Sequence, residues 1–230
     1  MRRSSHLHAP QFIGKFDEAE VLFRRALDIN ERVLGAQNPN VATVLNNLAK
    51  VLRDTNRPAE AESLSNRALA IDQTSFGPMH PAVARDLKNL AKFFKVWNRS
   101  TEALPIMQCV IDILQFMERK SGSPVLELGP AFNYRAQILE GTDQLKDAEI
   151  DYRNALALDE KNYGTRSAQV VSDLTGLGRV LNATQRAADA AELLRSADDI
   201  ATSAKAAKAE SASHEPKRCS GFACEAKVGI

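Results

Sequence analysis

Apolar residues along this chain recur at intervals of three and four, the spacing of one face of a helix. Val41, Val44, Leu45, Leu48, Ala49 and Leu52 form one such face. Val83, Leu87, Leu90, Ala91 and Phe94 form another, and Val170, Val171, Leu174, Leu177 and Leu181 a third. Between them lies a second kind of helix, marked by Ala61, Leu64, Ala68, Leu69 and Ile71. Thr55-Asn56-Arg57-Pro58 predicts the turn joining the two kinds, with Pro58 as a first helical residue. Gly35 and Gly77, each closely followed by a proline, are expected to end second helices. No run alternates apolar and polar residues between hairpin turns, so the expected fold class is all-α.

The pattern returns every 42 residues. Glu18-Ala19-Glu20 falls on Glu60-Ala61-Glu62, Arg25-Ala26-Leu27 on Arg67-Ala68-Leu69, and Asn47-Leu48-Ala49 on Asn89-Leu90-Ala91. Ala19, Ala61, Ala103, Ala148 and Ala190 continue the register with one longer step. That step reflects an insertion between Arg119 and Phe132, containing Ser121-Gly122-Ser123-Pro124 and Gly129-Pro130. A helical hairpin repeated in register predicts a stacked solenoid, an architecture suited to binding rather than catalysis. The expected organisation is an irregular N-terminus over 1–13, a repeat array over 14–202 (a half repeat plus about four repeats), and a helix extension with a disordered tail over 203–230.

Composition narrows the function. A formal net charge of +1 speaks against wholesale nucleic-acid binding, which usually needs a strongly basic domain. No stretch approaches the ~20 consecutive apolar residues of a membrane span. The N-terminus lacks the apolar core of a secretory signal; it is acid-free up to Asp17, in the manner of a transit peptide, yet reads better as a chain starting inside a repeat. The resulting half repeat offers a route to self-association. Cys109 reads as a core residue among Met107, Val110, Ile111 and Leu114, and Cys219 and Cys224 lack partners at zinc spacing. A reducing, cytoplasmic setting without structural disulfides is expected. His6 and His8 have no third ligand nearby, and no metal or cofactor is implied.

Leu45-x₂-Leu48-Ala49-x₂-Leu52 and Ala19-x₃-Phe23, with Ala148-x₃-Tyr152 further on, resemble the two helices of the tetratricopeptide repeat (TPR). The 42-residue period, Val33-Leu34-Gly35, Asn38-Pro39-Asn40-Val41-Ala42 and Gly77-Pro78-Met79-His80-Pro81 resemble its kinesin-light-chain-like subtype over roughly 14–202. Ser65 and Met107 depart from the pattern by replacing its aromatic residue. Gly129-Pro130 and Gly176 fall in or beside first helices, which predicts a less stable C-terminal half. The resemblance implies a right-handed superhelical solenoid whose first helices line a concave, protein-binding groove.

On that architecture the groove residues are expected to be Asn46, Asn47, Lys50, Arg53, Arg85, Lys88, Asn89, Lys92, Lys95, Asn133, Gln137 and Arg179. Seven of these are cations against few acids, chiefly Asp54 and Glu140. Arg85, Lys88, Lys92 and Lys95 share one helical stripe, and like charges at that spacing destabilise an isolated helix by ~0.2–0.5 kcal/mol per pair. Lysine and arginine select carboxylates, while asparagine can hold a peptide backbone. The expected partner is a protein or peptide with an acidic linear motif. Trp97 and His80 read as packing and loop residues. No nucleophile with a base, paired catalytic carboxylates or phosphate loop appears, and Gly176-Leu177-Gly178 is too short for a dinucleotide fingerprint. The chain therefore reads as a non-enzymatic scaffold or adaptor. The alternative is a regulatory fragment of a larger signalling enzyme whose catalytic domain lies outside this sequence.

Overall fold

Nine α-helices make up the described part of this chain, residues 10–213 of a computed structural model, with side chains described for residues 15–206. They are α1 (Pro10–Leu34), α2 (Pro39–Asp54), α3 (Pro58–Phe76), α4 (Pro81–Val96), α5 (Ser100–Ser121), α6 (Leu128–Gly141), α7 (Leu145–Tyr163), α8 (Ala168–Ala183) and α9 (Ala187–Ser213). Each packs mainly on its neighbours in the chain, giving an array of antiparallel hairpins. The even-numbered helices are the first helices of the repeats, and the odd-numbered ones the second. No strand occurs among the described residues.

The boundaries have local causes. Asn38 caps α2 by accepting from the Asn40 N–H at 2.9 Å, and Pro39 follows as the first helical residue. His80 caps α4 the same way: its Nδ1 accepts from the Ala82 N–H at 3.2 Å, and its ring stacks on Phe76 at 4.4 Å. Ser167 caps α8. The tight turns within the hairpins place Asn56, Asn98, Asp143 and Gln185 at φ of 58–62°. Asparagine and aspartate tolerate this left-handed region better than most residues.

Small residues allow the hairpins to stack closely. Ala61, Ala103, Ala148 and Ala190 are all fully buried. The largest apolar cluster runs from Leu48 through Phe93, Met107 and Ile111 to Ile138 and Ala155, spanning α2 to α7, with smaller clusters towards either end of the array. Trp97 packs on Phe93 with ring centroids 5.6 Å apart.

On the outer side, arginines strap successive second helices together. Arg57 donates to Glu20 of α1 and to Glu60 beside it; Arg99 does so to Glu62 and Glu102, and Arg186 to Glu149 and Asp189. Gln144 holds the corresponding position in the one turn without a strap.

Three readings of the sequence change. Cys109 is exposed: it lies about 200° round the helix from Met107, opposite the face formed by Met107, Val110, Ile111 and Leu114. Gly129 and Pro130 sit in the first turn of α6, where a missing proline N–H leaves no helical bond unmade. Gly176 is no gap either, because the Tyr152 ring fills the space its side chain would take. His6, His8, Cys219 and Cys224 lie outside the described residues.

Candidate functional site

Successive first helices approach each other, α2 to α4 and α6 to α8, more closely than successive second helices do. The array therefore curves with the first helices on its inner side.

Many of the polar residues expected in the groove link one first helix to the next. Asn46 Nδ2 donates to Asp86 at 2.8 Å, Lys95 Nζ to Gln137 at 2.9 Å, and Asn133 Nδ2 to Asp173 at 2.5 Å. Gln137 also donates to Asn133. Arg179 meets Glu140 at 2.9 Å and lies near the Tyr152 hydroxyl. Asn46 and Asn133 are buried. Arg85 turns away to bridge two buried acids, Asp72 at 2.9 Å and Asp86 at 3.0 Å.

A smaller cationic group remains. Lys50 and Lys88 make no ion pair among the described residues. Lys92 has only a distant contact, its Nζ 6.0 Å from the centre of the Tyr134 ring. Arg53 pairs with its neighbour Asp54 and lies over Phe93. These cations feel one another: burial, then Lys88, Arg53 and Lys50, hold Lys92 below the usual lysine range. Lys95 stands over the Tyr134 ring at 4.9 Å. Asn47 and Asn89 are half-buried beside the group.

Beside Lys88 and Lys92 opens a cavity of about 190 Å³, lined also by Asn133, Tyr134, Asp159, Ser172 and Asp173. Asp159 and Asp173 are 1% and 0% exposed. Burial pushes Asp159 up to about 6 and Asp173 up to about 7. The nearness of Asp159 adds to the rise at Asp173, so the pair retains a proton near neutrality. Asp159 reaches its place because Gly129 has no Cβ; one there would stand 1.9 Å from Asp159 Oδ1.

Comparison with known proteins agrees with this fold. The tetratricopeptide repeat family profile matches residues 11–74. The nearly identical TPR-like repeats of a Podosopora anserina protein assigned as a kinesin light chain superpose with a TM-score of 0.70 at 19% identity, over 84% of this chain and 90% of that one. The chain has the fold of a tetratricopeptide repeat array. BtubC (BKLC) from P. vanneervenii gives a TM-score of 0.72 at 21% identity, over 96% of this chain and 82% of its own. MamA gives 0.58 at 15% identity, over 86% and 94%. At these identities the likeness is one of fold, a TPR solenoid of the kinesin-light-chain-like kind. No curated protein matches the chain by sequence.

Within the TPR array, the 42-residue period does not indicate Tyr134, Asp159 or Asp173. A longer period does indicate the two acids. Asn46, Asp72 and Asp86 recur 87 residues on as Asn133, Asp159 and Asp173, two repeats later. Buried acids at the same step of alternate repeats are a signal of a polar site that apolar periodicity passes over.

Proposed function

We propose that this chain is a non-enzymatic scaffold that binds an acidic segment of a partner protein across α2 and α4. One observation carries the reading: Lys50, Lys88 and Lys92 lie close together on the inner face and make no ion pair among the described residues, although the chain as a whole has a net charge of only +1. Structural ion pairs account for Arg85 and Arg179. What stays unpaired is available to a ligand, with Asn47 and Asn89 alongside to hold its backbone. Exposed charges are screened within ~8 Å at physiological salt, so binding should weaken steeply as salt rises. A fluorescent acidic peptide titrated against the wild type and a Lys88→Glu, Lys92→Glu variant tests this. Loss of about tenfold or more in affinity is expected, and unchanged binding would eliminate the proposal.

A second observation bears on self-association. Ile71 and Ile113 are buried, whereas their counterpart Ile29 on α1 is 48% exposed, with Leu22 and Val33 beside it on the same face. We infer that two copies associate through this stripe. Sedimentation velocity of the full chain should show a concentration-dependent dimer that Ile29→Glu abolishes; a monomer at all concentrations contradicts it.

A further inference from the structure

The array contains the same acid pair twice, and only one copy has an arginine between its carboxyls. In the first, Asp72 and Asp86 are both buried, Asn46 donates to Asp86, and the guanidinium of Arg85 bridges the two carboxylates. In the second, Asp159 and Asp173 are both buried and Asn133 donates to Asp173, but the residue standing where Arg85 would be is Ser172. Each pair keeps one buried oxygen per carboxyl without a hydrogen-bond partner, Asp72 Oδ1 and Asp86 Oδ2 in the first and Asp159 Oδ1 and Asp173 Oδ2 in the second; the second differs in having no guanidinium and in lining the cavity that Ser172 also borders. A buried carboxylate left unpaired costs several kcal/mol, as a rule, unless it keeps a proton or gains a cation. No third histidine, cysteine or acid joins the pair to form a metal-ligating group among the described residues.

We propose that the cavity between α6, α7 and α8 is a receptor for an arginine side chain of the bound polypeptide, its guanidinium taking against Asp159 and Asp173 the place that Arg85 occupies against Asp72 and Asp86. The planar guanidinium fork matches a pair of carboxylates in a way an ammonium does not. About 190 Å³ holds roughly six water molecules' worth of space, ample for that group and its adjoining methylenes. Lys88 and Lys92 line the same cavity and would repel a bare cation. They therefore select an arginine flanked by a carboxylate, which they hold while the acid pair takes the guanidinium. The site thus deepens the groove-binding reading by assigning one basic residue to the acidic ligand.

The pair must give up its proton to hold the guanidinium. Groups facing it are Lys88 and Lys92 from α4, Asn133 and Tyr134 from α6, Glu160 from α7, and Gln169 and Ser172 from α8. Affinity should rise with pH through the range about 6 to 7 in which Asp159 and Asp173 ionise, then level off.

N-acetylarginine amide, which carries no carboxylate, reports on the acid pair alone. An acidic peptide without arginine reports on the lysines alone, so the two readings fail separately. Added to the full chain, N-acetylarginine amide should give saturable NMR shifts at Asn133 and Ser172. The neutral isostere N-acetylcitrulline amide should bind at least about tenfold more weakly. N-acetylarginine, with its carboxylate restored, should bind more tightly than the amide. Ser172→Arg, which supplies the guanidinium internally, should abolish the response and raise the melting temperature; Asp173→Asn should abolish the response in a folded chain. Equal binding of arginine and citrulline amides, no saturable shift, or a response surviving Ser172→Arg would overturn the assignment.

Discussion

Replacing Gly176 with alanine is expected to lower the melting temperature by roughly 3–10 °C, the reverse of what helix propensity alone gives. In an exposed helix interior, alanine is worth about 1 kcal/mol over glycine. Here the added Cβ would stand 2.2 Å from Cε1 and 2.4 Å from Cζ of Tyr152, a ring with no solvent exposure of its own. Overpacking of this kind costs about 1–3 kcal/mol, which in a chain of this size corresponds to several degrees. The displaced ring also carries a hydroxyl that donates to Glu140 at 2.9 Å, and Glu140 is held in turn by Arg179 of α8. Pushing Tyr152 aside therefore loosens the link between α6 and α8. Differential scanning calorimetry decides the sign, and a higher melting temperature would contradict this account. Tyr152→Leu in the same background should recover part of the loss, since the two positions share one space.

The chain should also grow more stable as pH falls from 8 towards 5. Asp86, Asp159 and Asp173 titrate at about 6, 6 and 7, against an ordinary value of 3.8, and burial is the largest cause in each case. A carboxyl whose folded pKa is raised favours the fold fully below its unfolded pKa; that contribution disappears as pH rises through the folded value. For Asp173 the difference corresponds to at most roughly 4 kcal/mol, reduced by relaxation and water entry. On the acid side the sign reverses. Arginine partners hold Glu140 and Glu149 below the usual carboxylate range, and their contribution is lost as those groups protonate. The melting temperature should thus peak near pH 5. Asp173→Asn should raise it at pH 8 by several degrees and leave it little changed at pH 5. A flat profile between pH 5 and 8, or destabilisation by that substitution at pH 8, would count against the buried pair.

Much of the fold was legible because helical stacking writes itself into apolar spacing. Pro58, Gly35, Gly77 and the alanine row each mark a boundary or a contact by their own backbone and size. Exposure of Cys109 follows from the same rule applied to its angle round the helix. The groove was harder to read. Periodicity places a residue on a face but does not say which partner it meets, and Arg85, Lys95 and Arg179 all find partners within the chain. Gly129 and Gly176 look like weaknesses in one dimension, and only the neighbouring helix shows that Asp159 and Tyr152 use the room.

Gln144 marks a seam. Arginine straps from the turns join α1 to α3, α3 to α5 and α7 to α9; between α5 and α7 the link comes instead from Arg135 of α6, which donates to Gln108 of α5 and to Asp151 of α7 beside a hollow of about 400 Å³ lined also by Leu104, Pro105 and Gln144. The fastening at this step is thus drawn from the intervening first helix rather than from the turn, so that one side chain clasps three helices at once.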